Sequence, residues 1–157
     1  MPRIISTMVE AYVFRQAEAG TEYLLLKRNP HYHMGGTWEG VRGHIDKGET
    51  AYQAAFREIM VDTGVIPLRL FSADNVQTFY EVGLDAIQMV SVFAAQATGS
   101  PPIRLSIEHV ESRWLAFEAA YESLAWPGQR TSLQHIHENI ARPGAPFAHL
   151  YEIQIGG

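Results

Sequence analysis

The sequence predicts an α/β domain, a β-rich sheet with helices on its faces. Three observations predict it. Runs rich in β-branched and aromatic residues recur along the chain and read as strands. Residues 51–63 carry apolar side chains at helical spacing, between a capping signal and a stopping glycine. The composition is globular, with 46% hydrophobic and 18% charged residues in a chain of 157, enough to bury one proper core. No repeat, low-complexity stretch or linker divides the chain, so a single domain over 1–157 is expected.

The elements follow in order. Residues 4–14 read as a strand, 16–20 as a turn and 23–27 as a second strand, together a hairpin. Residues 29–36 (Asn-Pro-His-Tyr-His-Met-Gly-Gly) are a loop, by their proline and paired glycines. Residues 38–45 are short and extended, punctuated by Gly40 and Gly43. Thr50, with Gln53 three residues on, fits a capping box. Ala51, Ala54, Ala55 and Ile59 then mark one helical face, and Gly64 fits the stop. Residues 76–82 and 87–95 are two further strands, 98–103 a loop and 113–116 a short strand. Two more helices are expected at 117–125 and 132–140, and the 143–157 tail offers one last strand. Trp114 and Trp126 are expected in the core or on a helix-packing surface.

Charge and cysteine content exclude several classes. Twelve basic against 17 acidic residues give a net charge of −5, which argues against a broadly basic nucleic-acid surface. Without cysteine there are no disulfides, thiolate zinc sites or cysteine nucleophiles. The longest apolar runs are far short of a membrane span, and the N-terminus lacks a signal-peptide hydrophobic region. A soluble cytoplasmic protein with no membrane partner is expected.

Residues 43–65 carry the chemistry. Glu58 and Asp62 are four apart on the predicted helix and share a face next to the apolar stripe. Two acids there are partly desolvated and repel each other, and a cation between them removes that cost. Carboxylate oxygens are the ligands that Mg²⁺ takes. Glu49 and Arg57 are placed to pair and to brace the glycine loop against the helix. Solvated acids and ordinary surface ion pairs fit the same spacing, so geometry alone leaves both readings open.

The segment resembles a Nudix box, G-x5-E-x7-R-E-U-x-E-E-x-G-U with U aliphatic. Gly43, Glu49, Arg57, Glu58, Ile59, Gly64 and Val65 match in register. Asp62 stands at the second glutamate of the Glu-Glu pair, and Val61 replaces the first. The resemblance implies an α/β/α sandwich around a mixed sheet. It implies a Mg²⁺-dependent pyrophosphohydrolase of a nucleoside diphosphate linked to another group, with Mn²⁺ an acceptable substitute. Glu58 is then a metal ligand or water-activating carboxylate and Asp62 a metal ligand. A backbone carbonyl at Arg42–Gly43 adds an oxygen, and Glu49–Arg57 is the structural ion pair.

Outside the box, Trp38-Glu39-Gly40-Val41-Arg42-Gly43 is similar to the lead-in of bacterial dATP pyrophosphohydrolases, which also act on dihydroneopterin triphosphate. Glu108-His109 followed by Arg113-Trp114-Leu115 resembles a segment of the same group and of diadenosine tetraphosphate hydrolases. That likeness assigns Glu108 as a further ligand or the base. For His109, a structural hydrogen bond is favoured over a leaving-group role. Arg28 is a candidate for phosphate, and His31, Tyr32 and His33 for stacking on a ring. The expected substrate is a nucleotide or pterin triphosphate, with dinucleoside polyphosphates and nucleotide sugars also fitting the box. A homodimer is compatible with the resemblance. Because valine binds no metal, a weakly active or non-catalytic nucleotide-binding module is the alternative.

Overall fold

The computed structural model describes residues 1–155. The chain builds β1 (Arg3–Ile5), β2 (Met8–Ala17), β3 (Gly20–Arg28), β4 (Trp38–Glu39) and β5 (Val41–His44), then helix α1 (Ala51–Thr63). A long ribbon follows, β6 (Arg69–Glu81) and β7 (Ala86–Gln96). The remainder is β8 (His109–Ala116), α2 (Phe117–Ser123), α3 (Pro127–Ile136) and the short β9 (Glu152–Ile153). The sheet is mixed, in the order β4-β3-β2-β7-β6-β9. Strand β2 lies parallel to β7 and antiparallel to both β3 and β5. Its second half, from Val13, pairs with β3, and its first half pairs with β5. Thus β5 fills the place beside β2 that β3 leaves free.

The two-residue period of β2 sorts its side chains between the faces. Val9, Ala11 and Val13 pack with Ala54, Ala55 and Ile59 of α1. Tyr12 and Phe14 pack with Leu124 and with Leu133 and Ile136 of α3. Helices therefore cover both faces, an α/β/α sandwich. Strand β5 sorts in the same way. Gly43 lies opposite Val9 on the α1 face, and Arg42 lies opposite Glu10 on the α3 face.

Several boundaries differ from the sequence reading. The first strand is two, because Ser6 and Thr7 separate β1 from β2. Strand β6 begins at Arg69, where the sequence suggested 76. The sheet absorbs the polar Ser-Ala-Asp-Asn stretch as a bulge between Ser72 and Val76, with Asp74 at φ 52°. Helix α3 starts at Pro127, where proline suits the first turn. It gives way to a π-helical turn at His137–Ala141. The tail contributes β9 against Leu70 and Phe71, and residues 156–157 lie outside the described residues. Trp126 is 47% exposed, which corrects the expectation of a packed position. Trp114 is partly buried, with the Arg15 guanidinium 4.2 Å above its ring. Among the described residues no helix is long and apolar enough to cross a membrane.

Burial predicts the effect of cutting α1. Ile59 is fully buried against the sheet, whereas its neighbour Met60 is 37% exposed. Ile59→Ala should cost about 2–5 kcal/mol through lost burial and the cavity left behind. Met60→Ala should cost less than about 1 kcal/mol. Urea unfolding midpoints at constant slope would show the contrast.

Candidate functional site

Local chemistry fixes helix α1 in place. The Thr50 hydroxyl accepts from the Gln53 backbone N–H at 3.2 Å, and the Gln53 side chain accepts from the Thr50 N–H at 2.9 Å. At the far end Gly64 adopts φ 75° and donates to the Met60 carbonyl at 2.9 Å. In the loop before the helix, Glu49 accepts from the Asp46 N–H at 3.0 Å.

Arg57 then ties loop, strand and helix together. Its Nε and Nη2 donate to the two oxygens of Glu49 at 2.8 and 2.9 Å. Nη2 also donates to the His44 carbonyl at 2.9 Å, and Nη1 to Glu58 Oε1 at 2.5 Å. The fork geometry of arginine makes this possible. These bonds hold the Glu49 carboxyl well below its usual range, at about 2. Gly43 is required because Glu58 lies on its backbone. A Cβ there would stand 2.5 Å from Glu58 Cγ, too close for any side chain. The predicted Arg42–Gly43 segment and Glu58 are thus brought together.

Asp62 is 1% exposed, and its Oδ2 has no hydrogen-bond partner. Burial first, then the charges of Glu58 and Glu108, push its carboxyl up to about 7, while His109 and Ser106 act the other way. Asp62, Glu108 and His109 each offer one ligand atom, and these atoms lie within 4.8 Å of one another. Glu108 is exposed, on the turn before β8. A buried carboxylate oxygen without a partner, facing further acids, fits a divalent cation with oxygen ligands. Val61 is 57% exposed and adds no donor.

Other residues singled out by sequence are placed as follows. Arg28 donates through Nε to the His33 carbonyl at 2.7 Å and through Nη1 to Glu39 at 3.1 Å. These two bonds shape the 29–36 loop and leave its Nη2 without a hydrogen-bond partner among the described residues. His31 and Tyr32 are exposed, while His33 lines a cleft of about 590 Å³ on the α3 face. Arg42, Gln77, Phe79, Trp126 and Gln129 share that cleft. Behind it Glu10 is fully buried, and burial raises its carboxyl above the usual range. It accepts from the Gln77 amide and from Gln129 at 3.3 Å, with Arg42 Nε 3.6 Å away. His109 makes the structural hydrogen bond favoured from sequence, through Nε2 to Glu39 at 2.9 Å.

Sequence reasoning passed over Glu10, Glu39, Gln77 and Gln129. The one signal for Glu10 was an acid inside an otherwise apolar strand, in phase with Tyr12 and Phe14. Buried acids are rare unless partnered, so its position asked for amides or a cation opposite. Those partners come from β5, β6 and α3, which no local pattern connects.

The titration of Asp62 has a definite consequence for the metal-free protein. Its folded value, about 7, lies above the ordinary 3.8. The folded state therefore binds more protons between these values, and the Asp62 contribution to stability falls as pH rises from about 4 to about 7. Glu49 acts in a lower window, its contribution being lost as pH falls from 4.5 towards 2. Unfolding of metal-free protein across pH 4–8 should show the Asp62 loss, and Asp62→Asn should flatten it.

The family model described as NUDIX domain matches residues 7–136. Among curated proteins, an octanoyltransferase of Myxococcus xanthus is 29% identical over 112 residues, covering 71% of this chain but 31% of that protein. The asymmetrical bis(5'-nucleosyl)-tetraphosphatase of Mus musculus is 28% identical over 119 residues, covering 74% of this chain and 79% of that one. Among solved structures, the E. coli dihydroneopterin triphosphate pyrophosphohydrolase aligns with a TM-score of 0.68 at 21% identity. It covers 81% of this chain and 91% of that one.

Proposed function

The chain belongs to the Nudix family of hydrolases, and from that premise we propose that it is a Mg²⁺-dependent pyrophosphohydrolase of a nucleoside triphosphate or related compound. The observation that carries this reading is the buried, partnerless Asp62 oxygen beside Glu108, on the same helix as Glu58. Glu58, Asp62 and Glu108 are the residues that would hold the ion. When bound there, a divalent cation neutralises diphosphate oxygens and acidifies a coordinated water.

The chain's own groups supply the rest. Arg57 fixes Glu58 against Gly43, so one carboxylate is oriented before substrate arrives. Glu108, the exposed acid of the group, would pass a proton between the site and solvent, a role its exposure and its nearness to Asp62 support. The cleft on the α3 face is suited to the ring of the substrate. Phe79 and Trp126 offer aromatic faces, while the amides of Gln77 and Gln129 are turned to Glu10. Cleft and acid cluster approach each other along β5, where Arg42 lines one and Gly43 abuts the other.

A second reading is a dinucleoside polyphosphate hydrolase. The likeness to the M. musculus tetraphosphatase favours it. A panel separates the two: dATP, dihydroneopterin triphosphate, diadenosine tetraphosphate and a nucleotide sugar, each with and without Mg²⁺ and with pyrophosphatase added in parallel. Metal-dependent turnover should fall by about 10²–10⁴-fold in Glu58→Gln and in Glu108→Gln, the range for a positioned acid or base. Nucleotide binding without turnover on every substrate would leave the binding module, and sink the enzyme reading.

Val61 gives a gain-of-function test. It is three residues from Glu58 and exposed on the same helix. Val61→Glu should tighten divalent-cation binding by about tenfold, since affinity follows the number of charged ligands. Calorimetric titration with Mn²⁺ would measure it.

A further inference from the structure

We propose that His109 is a nitrogen ligand of the cation site, completing with Asp62 and Glu108 a mixed nitrogen and oxygen set. The inference rests on the reading of that site as a cation site, and it adds a donor that the box does not contain. The geometry carries it in three steps.

The first step concerns protons. Glu39 is a buried carboxylate that only accepts, and it already takes a bond from Arg28 at 3.1 Å. His109 Nε2 lies 2.9 Å from the same Glu39 oxygen, so Nε2 carries the proton and donates it. In the neutral ring the lone pair is then on Nδ1.

The second step concerns what Nδ1 meets. The His109 side chain is wholly buried, and Nδ1 has no hydrogen-bond partner. A buried lone pair without a partner is costly. Asp62 Oδ2 is likewise without a partner, and a ligand atom of Asp62 lies within 4.8 Å of one of His109. An ionised Asp62 and a lone pair on Nδ1 cannot satisfy each other, whereas one cation satisfies both.

The third step concerns support. A carboxylate holding one ring nitrogen of a histidine, so that the other is free and oriented, is the usual outer support of a metal-bound imidazole. Here Arg28 anchors that carboxylate in turn, at the base of the 29–36 loop. Val61 withholds one carboxylate from the site, and His109 supplies a donor from β8 instead. A nitrogen in the set shifts preference from Mg²⁺ towards Mn²⁺ and later divalent ions.

The experiment uses the full chain loaded with Mn²⁺ and pulsed electron paramagnetic resonance. A directly bound histidine ¹⁴N should modulate the Mn²⁺ echo, and the modulation should change to the ¹⁵N pattern on histidine-selective labelling. It should vanish in His109→Gln and persist in His135→Gln. Calorimetry should show His109→Gln weakening Mn²⁺ by about 10–100-fold, with Mg²⁺ affected less. Glu39→Gln, which keeps the imidazole, should weaken Mn²⁺ by about tenfold or more. The wild-type spectrum needs no variant to fold. If Mn²⁺ binds and weakens in Glu58→Gln without nitrogen modulation, His109 is no ligand and the cation site stands. If modulation survives in His109→Gln, another histidine is the donor and the proposal is overturned. If wild-type protein binds no Mn²⁺, both the proposal and the cation site fall.

Discussion

Arg57 is the one cation whose placement the rest of the α1 face depends on. Its guanidinium meets Glu49, Glu58 and the His44 carbonyl at once. A lysine in its place would offer a point charge and could not span three elements in fixed directions. The contact sets the loop before α1, the end of β5 and the orientation of Glu58 together. It leaves Asp62 unanswered, and among the described residues no ion pair reaches that carboxylate. The helix is thus braced at its start and left with surplus negative charge towards its end. That gradient suits the cation that the proposed function calls for.

The other face is governed by a different constraint. Glu10 is buried without full neutralisation, and amides from β6 and α3 share the burden of holding it. Ser132 extends the network, donating to Asn75 at 2.6 Å. Such a network is stable only when all its members are present. It therefore fixes the side chains of Gln77 and Gln129, which would otherwise sample many rotamers at the wall of the cleft. Buried polarity here buys orientation of the cleft wall, at some cost to the packing of the α3 face.

How far the sequence could be read depended on how local the determinant was. The capping box, the helix and its stop are set by residues within one turn of each other, and α1 spans the residues that spacing predicts. The Glu49–Arg57 contact is eight residues long and was legible from the same segment. Strand β6 was half-hidden because its bulge borrows turn residues. The amide partners of Glu10 lie 67 and 119 residues away, and the Glu39 partner of His109 lies 70 away. At such distances a side chain's neighbour is decided by sheet order, which no periodicity announces. Arg28 is a further case. Its charge suggested an external ligand, and the fold adds two internal partners that the sequence did not show, Glu39 and the His33 carbonyl.

Strand β5 has a consequence for how this protein could change its habits. Neighbouring residues there address opposite sides of the sheet, Arg42 the cleft and Gly43 the acid cluster. The two environments meet at this strand. On the proposed reading of the site, substitutions at positions in phase with Arg42 alter what is recognised, and those in phase with Gly43 alter what is done to it. Effects from the two sides should combine nearly additively wherever they share no contact. A lineage could then explore new rings by mutating one parity of residues while the hydrolytic apparatus on the other parity stays untouched. Gly43 itself is the exception, since a side chain there displaces the Glu58 carboxylate from its present position.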